Sequence, residues 1–210
     1  MNIQDGWYYP DLDPRLTSTK TPLRQFANDA GVIDRALGHG AGRGLVIQAG
    51  ARIGIWPALL SAHYERVIAF EPETRNYECA RLNLTAYPTV ELHHAALGKT
   101  IERRWVEWSA ESSGSHQIVD SEDEYTEPCD VVTIDSLGAS PDAIFLDIEG
   151  FEIYALEGAV KTLERCHPML VLEENNARIR YGFNKGDLGK WLYQFGYSVV
   201  DRHYKDFIYV

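Results

Sequence analysis

Cysteine is scarce in this chain of 210 residues: only Cys79, Cys129 and Cys166 are present. The number is odd, the spacing is wide and no CxxC pair occurs, which argues against a disulfide framework and a cysteine zinc site. Cys79 and Cys166 fall in helical patterns and read as small apolar fillers. The 7 histidines show no H-x-x-x-H or related spacing, so no metal is expected. Basic charge is also short. Lys and Arg number 20 against 31 Asp and Glu, a formal net charge of −11 without a dense basic cluster. Such a surface repels nucleic-acid phosphates and anionic membranes. No Asn-Pro-Pro-Tyr-like segment for a flipped base is present either. No apolar run approaches membrane-spanning length, and "MNIQDGWYYP" has neither the basic start nor the apolar core of a signal peptide. The expectation is a cytoplasmic protein without nucleic-acid or membrane partners.

What is present is apolar material for one good core, 45% of the residues, so a single domain over 1–210 is expected. Residues 1–40 read as an arm and a helix, and 41–210 as the core. The first twenty residues carry two prolines and no sustained period, and so read as irregular. A helical pattern follows from Pro22 to about Leu37, with Leu23, Phe26, Ala27, Ala30 and Ile33 on one side. "GHGAGRG" (Gly38–Gly44) precedes a strand rather than following one, and reads as a helix stop. The chain then alternates. Strands are expected at Leu45–Ala49, Val67–Phe70, Val90–Ala95, Ile144–Asp147 and Met169–Leu172. Helices are expected from near Trp56, from Pro72 (inward stripe Tyr77, Ala80, Arg81, Leu84) and from Phe151 (stripe Ile153, Leu156, Val160, Leu163). Short apolar strands alternating with helices predict a mostly parallel sheet covered on both faces. Two stretches break the rhythm. "RRWVEW", "HQIV" and "DVVTI" form short strands around an exposed acidic loop, "SEDEYTEP", and "GYSVVDRHYKDFIYV" predicts a C-terminal antiparallel hairpin.

The segment "VIQAGARIGIWPALL" is strand, glycine turn, helix, the way α/β proteins cradle a nucleotide-like ligand. A dinucleotide fold wants G-x-G-x-x-G, but Arg52 occupies the middle position of Gly50-Ala51-Arg52-Ile53-Gly54 and would crowd a pyrophosphate. A mononucleoside with a short tail fits better. Glu71 ends the next strand in "VIAFEP", followed by Pro72, about twenty residues past the first glycine. From there a carboxylate can accept from both ribose hydroxyls. The competing reading is a solvated glutamate before a helix. A ribose clamp without pyrophosphate space suits S-adenosylmethionine. Gln48, two residues before the first glycine, can accept a hydrogen bond but supplies no charge to an ammonium, which shifts that task toward Asp147.

"VIQAGARIGIWP", "VIAFEPE", "HHAALG", "DVVTIDSL" and "AIFLDIEGFEIYALEGA", in this order, resemble an FkbM-type methyltransferase from Leu45 to Glu174, and the QAG variant with "GIWP" resembles a branch often encoded by viruses. The resemblance implies a Rossmann-like class I methyltransferase fold and transfer of a methyl group from S-adenosylmethionine to a hydroxyl oxygen of a sugar, glycan or other small molecule. By motif, Gly50, Ala51 and Gly54 shape the cofactor turn, Glu71 and Pro72 lie at the ribose, Ala96 and Leu97 lie beside the adenine, and Asp147 sits near the reacting end. Alternatives are a module that binds S-adenosylmethionine without catalysis and an NAD-linked oxidoreductase, the latter opposed by Arg52.

An alcohol nucleophile needs somewhere to send its proton. "FLDIEG" offers Asp147 and Glu149 at i and i+2, on one face of an extended chain. One could contact the cofactor while the other orients or deprotonates the hydroxyl; the alternative is that Glu149 caps the following helix. His116, in the segment that breaks the alternation, titrates near working pH and is a further candidate. Glu173 and Glu174 follow the last parallel strand at the same sheet edge. His93 and His94 read as strand residues, and the aromatics of "GWYYP", Trp105 and Trp108 as packing.

Overall fold

In the computed structural model the chain is described over residues 1–11, 22–40, 42–109 and 114–210. A seven-stranded sheet organises it. β3 (Leu45–Ala49), β4 (Arg66–Phe70), β5 (Val90–His93), β10 (Ala143–Leu146), β11 (Met169–Glu173), β12 (Val199–His203) and β13 (Asp206–Tyr209) lie in the order β12-β13-β11-β10-β3-β4-β5. β3, β4, β5, β10 and β11 pair in parallel, while β13 runs antiparallel to both β11 and β12. The expected mostly parallel sheet and C-terminal hairpin are both present. The period-2 alternation of the central strands feeds two apolar layers. Val46, Val67, Ala69 and Phe145 meet Ile33 of α1 (Pro22–Leu37) and Trp56 and Leu60 of α2 (Ile55–Leu60). Ile47, Ile68, Ile144 and Leu146 meet α4 (Glu152–Glu157), α5 (Val160–Cys166) and α6 (Asp187–Tyr193) on the other face. Helices on both faces of a parallel sheet satisfy its inner strands completely.

Several elements depart from expectation. The arm is not irregular throughout: β1 (Asn2–Gln4) and β2 (Trp7–Tyr9) form an antiparallel hairpin about Asp5 and Gly6, both at positive φ. Residues 12–21 lie outside the described set, as does the side chain of Leu23. In α1, Ala27 is exposed, and Val32, Ile33 and Ala36 are the buried residues. α3 (Thr74–Asn83) starts two residues after Pro72 and buries Asn76, Cys79 and Ala80, leaving Arg81 exposed. Of the expected stripe, Ala80 and Leu84 are buried and Tyr77 is half-buried, and only Arg81 faces out; Asn76 is buried as well because it joins a polar group described below. The single helix from Phe151 is two. Asp135 accepts from Lys161 N (3.1 Å) and Thr162 N (2.8 Å), capping the start of α5 and so ending α4 early.

The β-rich middle forms its own four-stranded sheet in the order β6-β9-β7-β8, from Ala96–Leu97, Thr126–Val132, Glu102–Glu107 and Gln117–Val119. The strand expected at Val90–Ala95 therefore ends at His93, and the chain moves to the second sheet at Ala96. Within the expected acidic loop, residues 121–125 are exposed, and Thr126 begins β9. No helix among the described residues is long and apolar enough to cross a membrane.

Candidate active site

The C-terminal ends of β3, β4 and β10 open onto a cavity of about 340 Å³, within the range of small-ligand sites. The turn after β3 forms its floor. Gly50 has φ +82°, and a Cβ there would fall 1.8 Å from the Asp147 carbonyl oxygen; only glycine permits this approach of two strand ends. Gly50 N and Ala51 N donate to Phe70 O at 3.1 and 3.0 Å, which locks the turn to β4.

Glu71 stands beside this turn, 5% exposed. Its Oε2 accepts from Arg52 N at 2.7 Å and its Oε1 from Glu73 N at 3.0 Å. Burial pushes its pKa up to about 7, against the lowering pull of those two backbone donors. The Asn76 side chain also donates to this carboxylate; of about four lone-pair sites, one is left for a further donor such as a hydroxyl. Glu73, fully buried, caps α3 by accepting from Asn76 N at 2.7 Å. Ala96 and Leu97, both buried, supply an apolar wall nearby.

Two inter-strand spacings away, about 10 Å, a second carboxylate group lines the cavity. Asp147, Glu149 and Glu173 bring carboxylate oxygens within 4.8 Å of one another, a set able to hold a cation. They meet through a turn, not along an extended strand as the i, i+2 spacing suggests. β10 stops at Leu146, and Glu149 and Gly150 have φ +54° and +97°. Gly150 is required there, since a Cβ would lie 2.3 Å from Arg178 N. Glu149 is a non-glycine residue in the left-handed region, where strain marks functional turns. α4 starts after Phe151 without a side-chain cap; the Glu152 carboxylate instead holds the preceding turn, its Oε1 accepting from Ile148 N and Gly150 N at 3.1 and 3.2 Å. The Asn175 side-chain amide donates to Glu149 (3.1 Å) and to Glu173. Lys205 Nζ lies 3.6 Å from Glu173. Burial, then the charges of Glu173 and Glu149, hold Asp147 well above the usual carboxylate range.

Residues 48–199 match the methyltransferase FkbM domain. The chain belongs to the FkbM methyltransferase family. In structure it is similar to the FkbM methyltransferase of Methylobacillus flagellatus KT, at 22% identity and a TM-score of 0.60, over 80% of this chain and 43% of that one. This chain thus spans less than half the length of that relative. It is also similar to magnesium protoporphyrin IX methyltransferase of Synechocystis PCC 6803, which holds S-adenosylmethionine (16% identity, TM-score 0.52, 94% of this chain and 84% of that one). A third likeness is to precorrin-6y C5,15-methyltransferase of Geobacter metallireducens GS-15 (14%, TM-score 0.50, 98% and 93%). At these identities the likeness establishes the class I methyltransferase fold. No curated protein matches the chain in sequence.

Within this FkbM domain the cavity gathers Gly50, Ala51, Glu71, Pro72, Ala96, Leu97, Asp147, Glu149 and His116. Two candidates lie elsewhere. Gly54 packs against the end of α3, where a Cβ would sit 3.4 Å from Ala80 Cα and 3.0 Å from the side chain of Leu84, just past the helix. Gln48 alternates onto the α1–α2 face of the sheet and lines a separate hollow with Trp56 and Phe145, its Nε2 donating to Ala49 O at 2.9 Å. His116 belongs to the Glu71 side: its Nδ1 accepts from Ser109 N at 2.9 Å, and its Nε2 is 3.9 Å from Glu73. Of the neighbouring pair, Glu173 lines the cavity, while Glu174 accepts from Tyr209 OH at 2.7 Å. Glu73, Asn76, Glu152, Asn175 and Lys205 complete the site without having been singled out in the sequence.

Proposed function

We propose that this FkbM-family chain catalyses S-adenosylmethionine-dependent O-methylation of a hydroxyl on a sugar, glycan or small molecule. The observation that carries the reading is the division of one cavity by the Gly50 turn, with a buried two-oxygen acceptor on one side and a carboxylate cluster on the other. Glu71 would take a ribose hydroxyl on its remaining lone pair, beside Pro72 and Ala51, with Ala96 and Leu97 against the adenine. Asp147 would face the amino end, where an ammonium would favour its ionised form. When bound, S-adenosylmethionine supplies an electrophilic methyl group on a positively charged sulfur.

The chain's own task is to align an acceptor oxygen, exclude water and take up the proton that the hydroxyl loses. Glu149, oriented by Asn175 and Glu152, is positioned to receive that proton on a carboxylate oxygen. His116, tied to Glu73 and Ser109, suits a wall of the pocket better than a base.

Incubation with methyl-labelled S-adenosylmethionine and a panel of polyols, sugars and glycans tests the reading. Label is expected on a hydroxyl oxygen of at least one acceptor. Tight cofactor uptake without label in any acceptor would favour a binding module, and no uptake at all would remove the reading.

A further inference from the structure

The N-terminal hairpin lies outside the family segment, yet one side chain joins it to the cavity floor. Asn83, the last residue of α3, accepts from Tyr8 N at 2.8 Å through Oδ1 and donates to Tyr8 O at 2.9 Å through Nδ2. It thereby pairs with β2 as a neighbouring strand would. Nδ2 also donates to Ile53 O at 2.7 Å, inside the glycine turn. Both amide protons and the carbonyl of Asn83 are thus engaged at once. The hairpin is anchored independently by Trp7, whose ring packs on Phe26 of α1 at 6.2 Å. A second strut runs from α1, where Gln25 Oε1 accepts from Arg52 Nη1 at 2.8 Å. Ile53 follows Arg52 directly, and the Arg52 N–H is one of the two donors that hold Glu71. Displacing Ile53 O therefore disturbs the Glu71 carboxylate through a single peptide unit.

We propose that Asn83 is a positioning residue that couples the N-terminal hairpin to the glycine turn, so that the hairpin sets the turn's shape and, through Glu71, cofactor affinity. The affinity part rests on reading the cavity as an S-adenosylmethionine site; the mechanical coupling does not.

Hydrogen–deuterium exchange of the Ala51, Arg52 and Gly54 amides, without cofactor, tests the coupling. All three are hydrogen-bonded in the intact turn. Asn83→Ala should speed their exchange about tenfold, the scale of one hydrogen bond's net contribution. Asn83→Asp keeps the acceptor for Tyr8 N but has no donor for Ile53 O, and should match it. Trp7→Ala should speed the same amides in the wild-type background and add nothing in Asn83→Ala. Tyr197→Phe serves as a control: it deletes a bond from Tyr197 OH to Pro168 O (2.9 Å) in the opposite core layer and should leave the turn protected. Unchanged turn exchange in Asn83→Ala, equal loosening in Tyr197→Phe, or protection restored by Asn83→Asp would overturn the coupling. Calorimetry with S-adenosylmethionine should then give about tenfold weaker binding for Asn83→Ala. A loosened turn with unchanged affinity would overturn the claim on affinity. A loosened turn in a protein whose wild type takes up no S-adenosylmethionine would leave the coupling standing and remove the proposed function instead.

Discussion

Replacing Glu71 with glutamine keeps the side chain's shape and removes its charge, and the structure sets what should follow. Both carboxylate oxygens accept from backbone, Arg52 N and Glu73 N. A glutamine can satisfy one of these and must turn its own NH₂ toward the other, leaving a buried N–H unpaired at a cost of about 1–3 kcal/mol. Against that stands the cost of the buried charge. With its pKa moved from 4.5 to about 7, ionised Glu71 disfavours the folded state by about 3 kcal/mol at pH 8 relative to its protonated form. The folded protein binds this proton more tightly than the unfolded chain, so the contribution is fully present below about pH 4.5 and lost as pH rises through about 7. The variant lacks that loss. Its ligand-free stability at pH 8 should therefore be close to wild type, and its decline between pH 5 and 8 shallower. Cofactor affinity should move the other way: losing hydrogen bonds to a charged acceptor costs about 1.5–3 kcal/mol, roughly a 10- to 150-fold weaker Kd. Wild-type affinity should also fall below pH 7, as the carboxylate takes up its proton, while the variant should lose the part of that fall due to Glu71. Calorimetric titration with S-adenosylmethionine from pH 6 to 8, beside thermal melts of the ligand-free protein, reads both quantities. Wild-type affinity in the variant with an unchanged pH profile would refute the ribose assignment and its electrostatic account together.

Three further outcomes follow from the same structure. Burial first, with neighbouring charges, raises the pKa of Asp29 and Asp206 to about 7, and burial raises that of Glu152 to about 8. Ligand-free stability should thus fall as pH rises from about 5 to 8; melts that improve over that window would contradict the sign. Glu149→Gln should lower the rate of methyl transfer by about 10²–10⁴-fold, the range for a lost general base, while moving cofactor Kd little; labelled-methyl assays beside calorimetry separate the two. Gly50→Ala places a Cβ 1.8 Å from Asp147 O at φ +82°. It should destabilise the fold by more than about 3 kcal/mol, since neither strand end can retreat without breaking its ladder, and chemical denaturation measures this.

The fold was legible where one period dominated. β3, β4, β10 and β11 lie within a residue or two of the apolar runs that announced them, because buried parallel strands need little beyond apolar continuity. Periodicity misled where polar burial competed with it. The α3 stripe placed Arg81 inward, but Asn76 takes the inner face with Cys79 and Ala80, a choice made by Glu71 and Glu73 that no apolar count detects. The hairpin of residues 2–9 had a local signal, the Asp-Gly pair between "NIQ" and "WYY", which the prolines nearby outweighed.

The site shows the same division at closer range. Gly50 and Glu71 were readable because backbone approach and a strand-end carboxylate each leave a fixed trace in spacing. Gln48 and Gly54 share that motif, yet the sheet's alternation carries Gln48 to the opposite face, and Gly54 meets α3 instead of the cavity. The acidic group reversed the logic. Asp147 and Glu149 were paired on the premise of an extended strand, and they are neighbours because the strand ends first. Glu152, with no assigned role in the sequence, holds the turn that joins them. Spacing therefore located the residues whose geometry is set by regular strands. Glu152, Asn175 and Asn83 act across a turn or between distant segments, and side-chain hydrogen bonds of that kind leave no periodic trace. If the proposed function and coupling hold, these unannounced residues should prove as sensitive to substitution as the motif residues they orient.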